Sequence, residues 1–76
     1  MKELLETIAK NLVDTPDQVR VTESTDSSGA ITLELHVAQE DMGKVIGKQG
    51  KIAKAIRSVV KAAAIHQNVR VVVEIQ

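Results

Sequence analysis

The residues that could do chemistry in this chain concentrate in Val45-Ile46-Gly47-Lys48-Gln49-Gly50-Lys51-Ile52, a basic turn bracketed by two glycines three residues apart. Glycines at that spacing let the backbone turn sharply and leave no Cβ between its amides and an approaching partner. Gly50 opens the helical stretch Lys51 to Ile65. The unpaired N–H groups of that first turn, with the positive end of the helix dipole, then face whatever lies over the loop. Lys48 and Lys51 add mobile positive charge. The combination calls for an anion, and a phosphate backbone is the commonest one a protein meets.

Catalysis finds no comparable support. The glycines at 43, 47 and 50 fit neither G-x-x-x-x-G-K-[S/T] nor G-x-G-x-x-G. No Ser, His and carboxylate set or metal cluster is recognisable, and Glu40 and Asp41 lack a histidine or carboxylate partner at a telling spacing. With no cysteine and only His36 and His66, a zinc staple and a disulfide are both excluded as expectations, and no cofactor is implied. The chain reads as a binding protein, not an enzyme.

Net charge is zero, yet the charges are segregated. Residues 1–41 hold Lys2, Lys10 and Arg20 against nine acids, a net of −6. Residues 42–70 hold Lys44, Lys48, Lys51, Lys54, Arg57, Lys61 and Arg70 with no acid, a net of +7, and Glu74 restores the balance. Such a split predicts a basic functional face on an acidic back. Aromatic content is zero, which argues against RRM and OB folds, since both stack bases on aromatic rings.

The elements that must position the loop follow from periodicity. Lys2 to Val13 sets Leu4, Leu5, Ile8 and Leu12 on one side of an amphipathic helix, which Asp14-Thr15-Pro16-Asp17 terminates. Val19 and Val21 alternate with Arg20 and Thr22 as a short strand. Asp26-Ser27-Ser28-Gly29 returns the chain into a second strand, residues 30–37, expected at the centre of the sheet. Glu40 and Asp41 open a short helix carrying Met42, Val45 and Ile46, where Gly43 is expected to admit a neighbouring backbone. The next helix sets Ile52, Ile56, Val59 and Ala63 on one stripe and Lys51, Lys54, Arg57 and Lys61 on another; a strand beginning at Val69 closes the chain. A strand, two helices and a strand require a right-handed crossover between parallel strands. The expected fold is therefore α+β, in the order α-β-β-α-α-β, with a three-stranded mixed sheet and three helices on one face.

Ile46-Gly47-Lys48-Gln49-Gly50 resembles the G-x-x-G loop of KH domains, which clamps the backbone of about four nucleotides. The resemblance spans the chain, so residues 1–76 are expected to form a single KH domain of type II. The run Asp41 to Gly50, followed by Ile52-Ala53-Lys54-Ala55-Ile56-Arg57, is similar to the small bacterial single-KH proteins of the KhpA (YlqC) family. Ala53 departs from the wider pattern, which has a large aliphatic there, and implies a shallower groove floor unless Ile52 and Ile56 fill it. The resemblance implies contact with single-stranded RNA through Lys44, Val45, Ile46, Gly47, Lys48, Gln49, Gly50, Lys51, Lys54 and Arg57. It implies a cytoplasmic RNA chaperone or post-transcriptional regulator linked to cell elongation and peptidoglycan homeostasis. It also implies a heterodimer with a larger KhpB-like KH protein.

Two residue-level expectations stand beside it. Met1 begins an amphipathic pattern and no apolar run approaches eighteen residues, so neither a signal peptide nor a membrane span is expected. A domain of 76 residues buries only about 60% of its unfolded surface and is marginal alone. The apolar residues Val59 to Ile65 exceed what one sheet-facing stripe needs, which predicts a homodimer through the long helix. The competing reading of function is a protein-interaction module with this fold and no RNA.

Overall fold

A computed structural model describes residues 1–75. The chain runs α1 (Lys2–Leu12), β1 (Arg20–Thr25), β2 (Ile31–His36), α2 (Met42–Ile46), α3 (Lys51–His66) and β3 (Val71–Ile75), with 3₁₀ turns at Pro16–Gln18, Gln39–Asp41 and Lys48–Gly50. The order α-β-β-α-α-β agrees with the sequence expectation. So does the sheet, in which β2 is central, antiparallel to β1 and parallel to β3.

Alternation sets the two faces of the sheet. Val21, Leu33, Leu35 and Val73 point into the core with Leu5 and Ala9 of α1, Val45 of α2, and Ile56 and Val60 of α3. All three helices therefore cover one face. The other carries Thr22, Thr32, Glu34 and Glu74 and, among the described residues, has no helix over it, the usual division for a sheet packed on one side. The hairpin between β1 and β2 is closed by Asp26, whose Oδ1 accepts the Ser28 N–H at 2.8 Å, the Ser28 hydroxyl at 2.6 Å and the Ala30 N–H at 3.1 Å. Those donors, led by the Ser28 hydroxyl, hold the exposed Asp26 carboxyl below its ordinary range.

Four sequence expectations are corrected. The buried stripe of α3 is Ala53, Ile56, Val60 and Ala64 rather than Ile52, Ile56, Val59 and Ala63. Ile52 lies beside Gly47, the core-facing stripe runs one residue later through Ala53 and Val60, and Val59 is left 49% exposed. Ala53 itself is buried in that stripe beside Ile56. β3 begins at Val71, not Val69, because α3 ends in a left-handed cap. Asn68 has φ 58°, its N–H donates to Ile65 O at 3.1 Å, and the Val69 N–H donates to Ala64 O at 3.0 Å. This is the Schellman arrangement, and Val69 is consumed by it. Gly43 faces open space: a Cβ there would meet nothing within 4 Å. Asp41 lies in the 3₁₀ turn that precedes α2 and not in the first turn of that helix, and it is buried.

The two adjacent valines of α3 therefore separate core from surface. Val60→Asp places an unpaired charge in a fully buried site and is expected to cost at least about 3 kcal/mol, a large share of the roughly 4–11 kcal/mol a chain this size holds. Val59→Asp should change monomer stability by no more than about 0.5 kcal/mol. Urea unfolding of both variants measures the difference.

Candidate nucleic-acid interface

The loop hangs between a five-residue helix and a sixteen-residue one. Gly47 ends α2 with φ 74° and ψ 177°, a conformation open essentially to glycine alone. A Cβ at Gly47 would also lie 2.2 Å from Ile52 Cγ1 and 2.9 Å from the Ile52 backbone nitrogen. Glycine is thus required here by both backbone and neighbour. Gly50 needs it only for the backbone: φ is 76° and ψ 14°, and a Cβ added there would have no neighbour within 4 Å. Between them, Gln49 adopts φ 57° and ψ 25°, left-handed for a residue with a side chain. That costs about 1–2 kcal/mol, a strain of the kind that gathers at ligand clamps.

Because Gly47 O accepts the Gly50 N–H at 3.2 Å, the loop closes on itself and turns Lys48 and Gln49 outward. Gly50 caps α3 without a side-chain hydrogen bond, so the first amides of that long helix have no side-chain acceptor. An anion over the loop therefore meets backbone donors, the dipole and the exposed Lys48 and Lys51 together.

From the loop, α3 and the outer edge of β3 bound an open groove of about 560 Å³ lined by Lys54, Arg57, Ser58 and Lys61 on the helix and Val71, Val72 and Val73 on the strand. Arg57 ties the two walls: its Nε donates to Val73 O at 3.3 Å. One of its five N–H donors is used there. The groove has cationic and aliphatic walls and no acid among its lining residues.

The ten residues expected at the interface divide accordingly. Gly47, Lys48, Gln49, Gly50 and Lys51 are brought together at the loop, with Ile46 38% exposed beside it. Lys54 and Arg57 line the groove. Val45 is fully buried, so its side chain supports the loop from the core and offers no contact surface. Lys44 points the other way. Its ammonium is paired with the Asp14 carboxylate and lies 3.8 Å from Asp41 Oδ1. Asp14, and then Asp41, hold the Lys44 ammonium above its ordinary range.

Asp41 is the residue that sequence reasoning missed. Its side chain is 1% exposed, and its two carboxylate oxygens accept the backbone N–H groups of Asp14 and Thr15 at 3.3 and 3.0 Å. The signal was present but indirect: an acid three residues before Lys44, opposite a connection ended by Pro16.

An α-β-β-α-α-β chain with a glycine-bracketed basic loop between its second and third helices is a KH domain in the type II arrangement. Among solved structures, a variant of Aquifex aeolicus Era bound to GDP and aluminium fluoride has a TM-score of 0.66 at 18% identity, covering 97% of this chain and 28% of that one, a likeness of fold. The KhpA/KhpB KH-domain family matches residues 2–75. Over 75 residues the chain is 71% identical to the RNA-binding protein KhpA of Clostridium acetobutylicum and 67% identical to that of Clostridium perfringens, covering 99% of both chains in each pair. The KhpA of Chlamydia pneumoniae is 49% identical over 99% of this chain and 95% of its own. The chain belongs to the KhpA/KhpB KH-domain family.

The two loop glycines should respond differently to substitution. Gly47→Ala meets Ile52 and a forbidden backbone at once and is expected to destabilise by about 2–4 kcal/mol. Gly50→Asn enters open space in a conformation asparagine tolerates, and should cost less than about 1 kcal/mol. Chemical unfolding of the two variants compares them.

Proposed function

We propose that this protein is a single-stranded RNA-binding module that acts by binding and carries out no reaction. The observation that carries the proposal is the glycine loop at the uncapped start of α3, opening on a groove that begins at the cations Lys54 and Arg57 and has no acid among its lining residues. The names of the relatives, RNA-binding protein KhpA, support the same reading. Gly47 and Gly50 admit the phosphate backbone, and Lys48, Lys51 and Lys54 neutralise it. Ile46 and the valines of β3 receive the bases on aliphatic surface. Arg57 supplies directed donors from the groove floor. Lys44 contributes by fixing α2 to the α1–β1 connection, and Val45 by filling the core beneath the loop.

In this reading the protein is a cytoplasmic chaperone or post-transcriptional regulator of RNA, with cell elongation and peptidoglycan homeostasis as the processes it serves. No helix among the described residues is long and apolar enough to cross a membrane. Its protein partner is a second copy or a larger KhpB-like KH protein, docked on the flank of α3 away from the groove. Val59 is 49% exposed there, and Ala55 and Ala62 are exposed on the same side. Small residues let two helices approach closely, and the loop stays free.

The loop is tested by Lys48→Asp with Gln49→Asp. Both side chains are exposed, so the fold should persist while two carboxylates repel the phosphates and binding to single-stranded RNA is lost. Undiminished binding by the folded double variant overturns the mechanism. With two to four phosphates neutralised, log K should fall against log salt with a slope of about −1.5 to −3. The docking flank is tested by sedimentation: the unmodified chain should dimerise and Val59→Asp should remain a folded monomer. A monomer at every concentration for the unmodified chain removes the homodimer.

A further inference from the structure

The basic groove does not end where the loop-anchored residues end. Beyond Lys54 and Arg57, the space lined by Lys61 and Val71 continues into a second open cavity of about 400 Å³, reached by Ile65, Asn68 and Arg70. None of the residues lining either cavity is acidic. The two form one trough along α3 and the outer edge of β3. From Lys54 to Ile65 it follows about 16 Å of helix axis, room for about five phosphates at the 3.4 Å spacing of a stacked strand.

A second observation marks the same path. Four large apolar residues stand out as exposed among the described residues: Ile46, Val59, Ile65 and Val72. Val59 is on the opposite flank of α3. Of the other three, Ile46 precedes the loop, Ile65, at 68% the most exposed of the four, lines the second cavity, and Val72 borders the first from the edge of β3, on the sheet face it shares with Thr32. Exposed aliphatics beside cations suit a ligand with apolar faces and a charged backbone.

We infer that Lys61, Ile65 and Arg70 form a second RNA subsite, which extends the bound strand past the nucleotides held by the loop. The inference rests on the RNA-binding reading. Lys61 sits seven residues after Lys54, about 10 Å along the axis, where the next phosphates of a strand leaving the loop would pass. Arg70 faces it across the trough from the start of β3, held in place because its carbonyl accepts the Ile31 N–H at 2.8 Å. Ile65 lies between them as a platform for a base. The trough ends near the β1–β2 hairpin, where the Asp26 carboxylate is turned into its own loop and adds negative charge.

Fluorescein-labelled pools of random single-stranded RNA, five and ten nucleotides long, test it on the whole chain. Lys61→Ala with Arg70→Ala should weaken ten-nucleotide binding about tenfold near physiological salt and flatten its salt slope by about 1.4, two phosphates at 0.7 each. Five-nucleotide binding should stay within about twofold, and, because both side chains are exposed, urea unfolding should be unchanged. Unchanged ten-nucleotide binding and slope overturn the second subsite, and so does an equal loss on both pools. The loop variant Lys48→Asp with Gln49→Asp separates the two claims. Loss of binding by it, with no effect of the Lys61 and Arg70 variant, leaves the loop mechanism standing and removes the extension. Full binding by the loop variant overturns the loop mechanism, and with it the extension of a strand held at the loop.

Discussion

The fixed point of this structure is the buried carboxylate of Asp41. A charge taken out of water costs several kcal/mol unless donors replace the solvent, and here two backbone N–H groups and the Lys44 ammonium do so. The arrangement reaches across 26 and 27 residues of sequence, binding the end of α1 to the start of α2. The bond matters because α2 has five residues, far below the length at which a helix sustains itself. A loop suspended from so short a helix takes its position from whatever holds that helix. Asp41 fixes one end, Val45 in the core fixes the middle, and the contact between Gly47 and Ile52 fixes the other end.

Charge segregation becomes geometry through the same device. By pairing with Asp14 and Asp41, Lys44 neutralises acids of the first half of the chain and leaves the loop and α3 with uncompensated cations. Since the net charge is zero, any steering of an anion comes from the segregation of charge and not from an excess of it. Attraction acts within about a Debye length of the groove, roughly 8 Å at physiological salt. The acidic back then favours one orientation of approach over the others.

Topology and the loop were legible in the sequence because both rest on strong local signals. Alternation in Ile31 to His36 has one solution, and two glycines three apart beside lysines have few. The misreadings arose where local signals were weak or partners distant. In an α3 rich in alanine, Ile52-Ile56-Val59-Ala63 and Ala53-Ile56-Val60-Ala64 are nearly equivalent stripes, and periodicity alone does not choose between them. Val69 continues the alternation of β3 perfectly well, yet the left-handed Asn68 before it commits its N–H to the helix cap. In sequence Asp41 reads as a helix-start acid and Lys44 as a nucleic-acid contact because their partners lie 26 to 30 residues away. Val45 looked accessible because it adjoins the loop in sequence, although its side chain points beneath it.

The absence of aromatic residues shapes how such a module can hold RNA. A base stacked on an aromatic ring contributes about 1–3 kcal/mol, and no ring is present here. Aliphatic contact over valine and isoleucine supplies less per base and reads little of its identity. In the proposed function what remains is phosphate contact, backbone donors at the loop and the donors of Arg57, which favour a charged strand of any sequence over a particular one. A module of this kind gains strength by length or by number: a longer track along α3, or a second domain joined to the first, which turns the second binding event into an intramolecular one. The geometry of α3 accommodates both at once, since its basic flank borders β3 and its apolar flank, with Val59, faces away. In the proposed function one helix thus carries the nucleic acid on one side and a protein partner on the other.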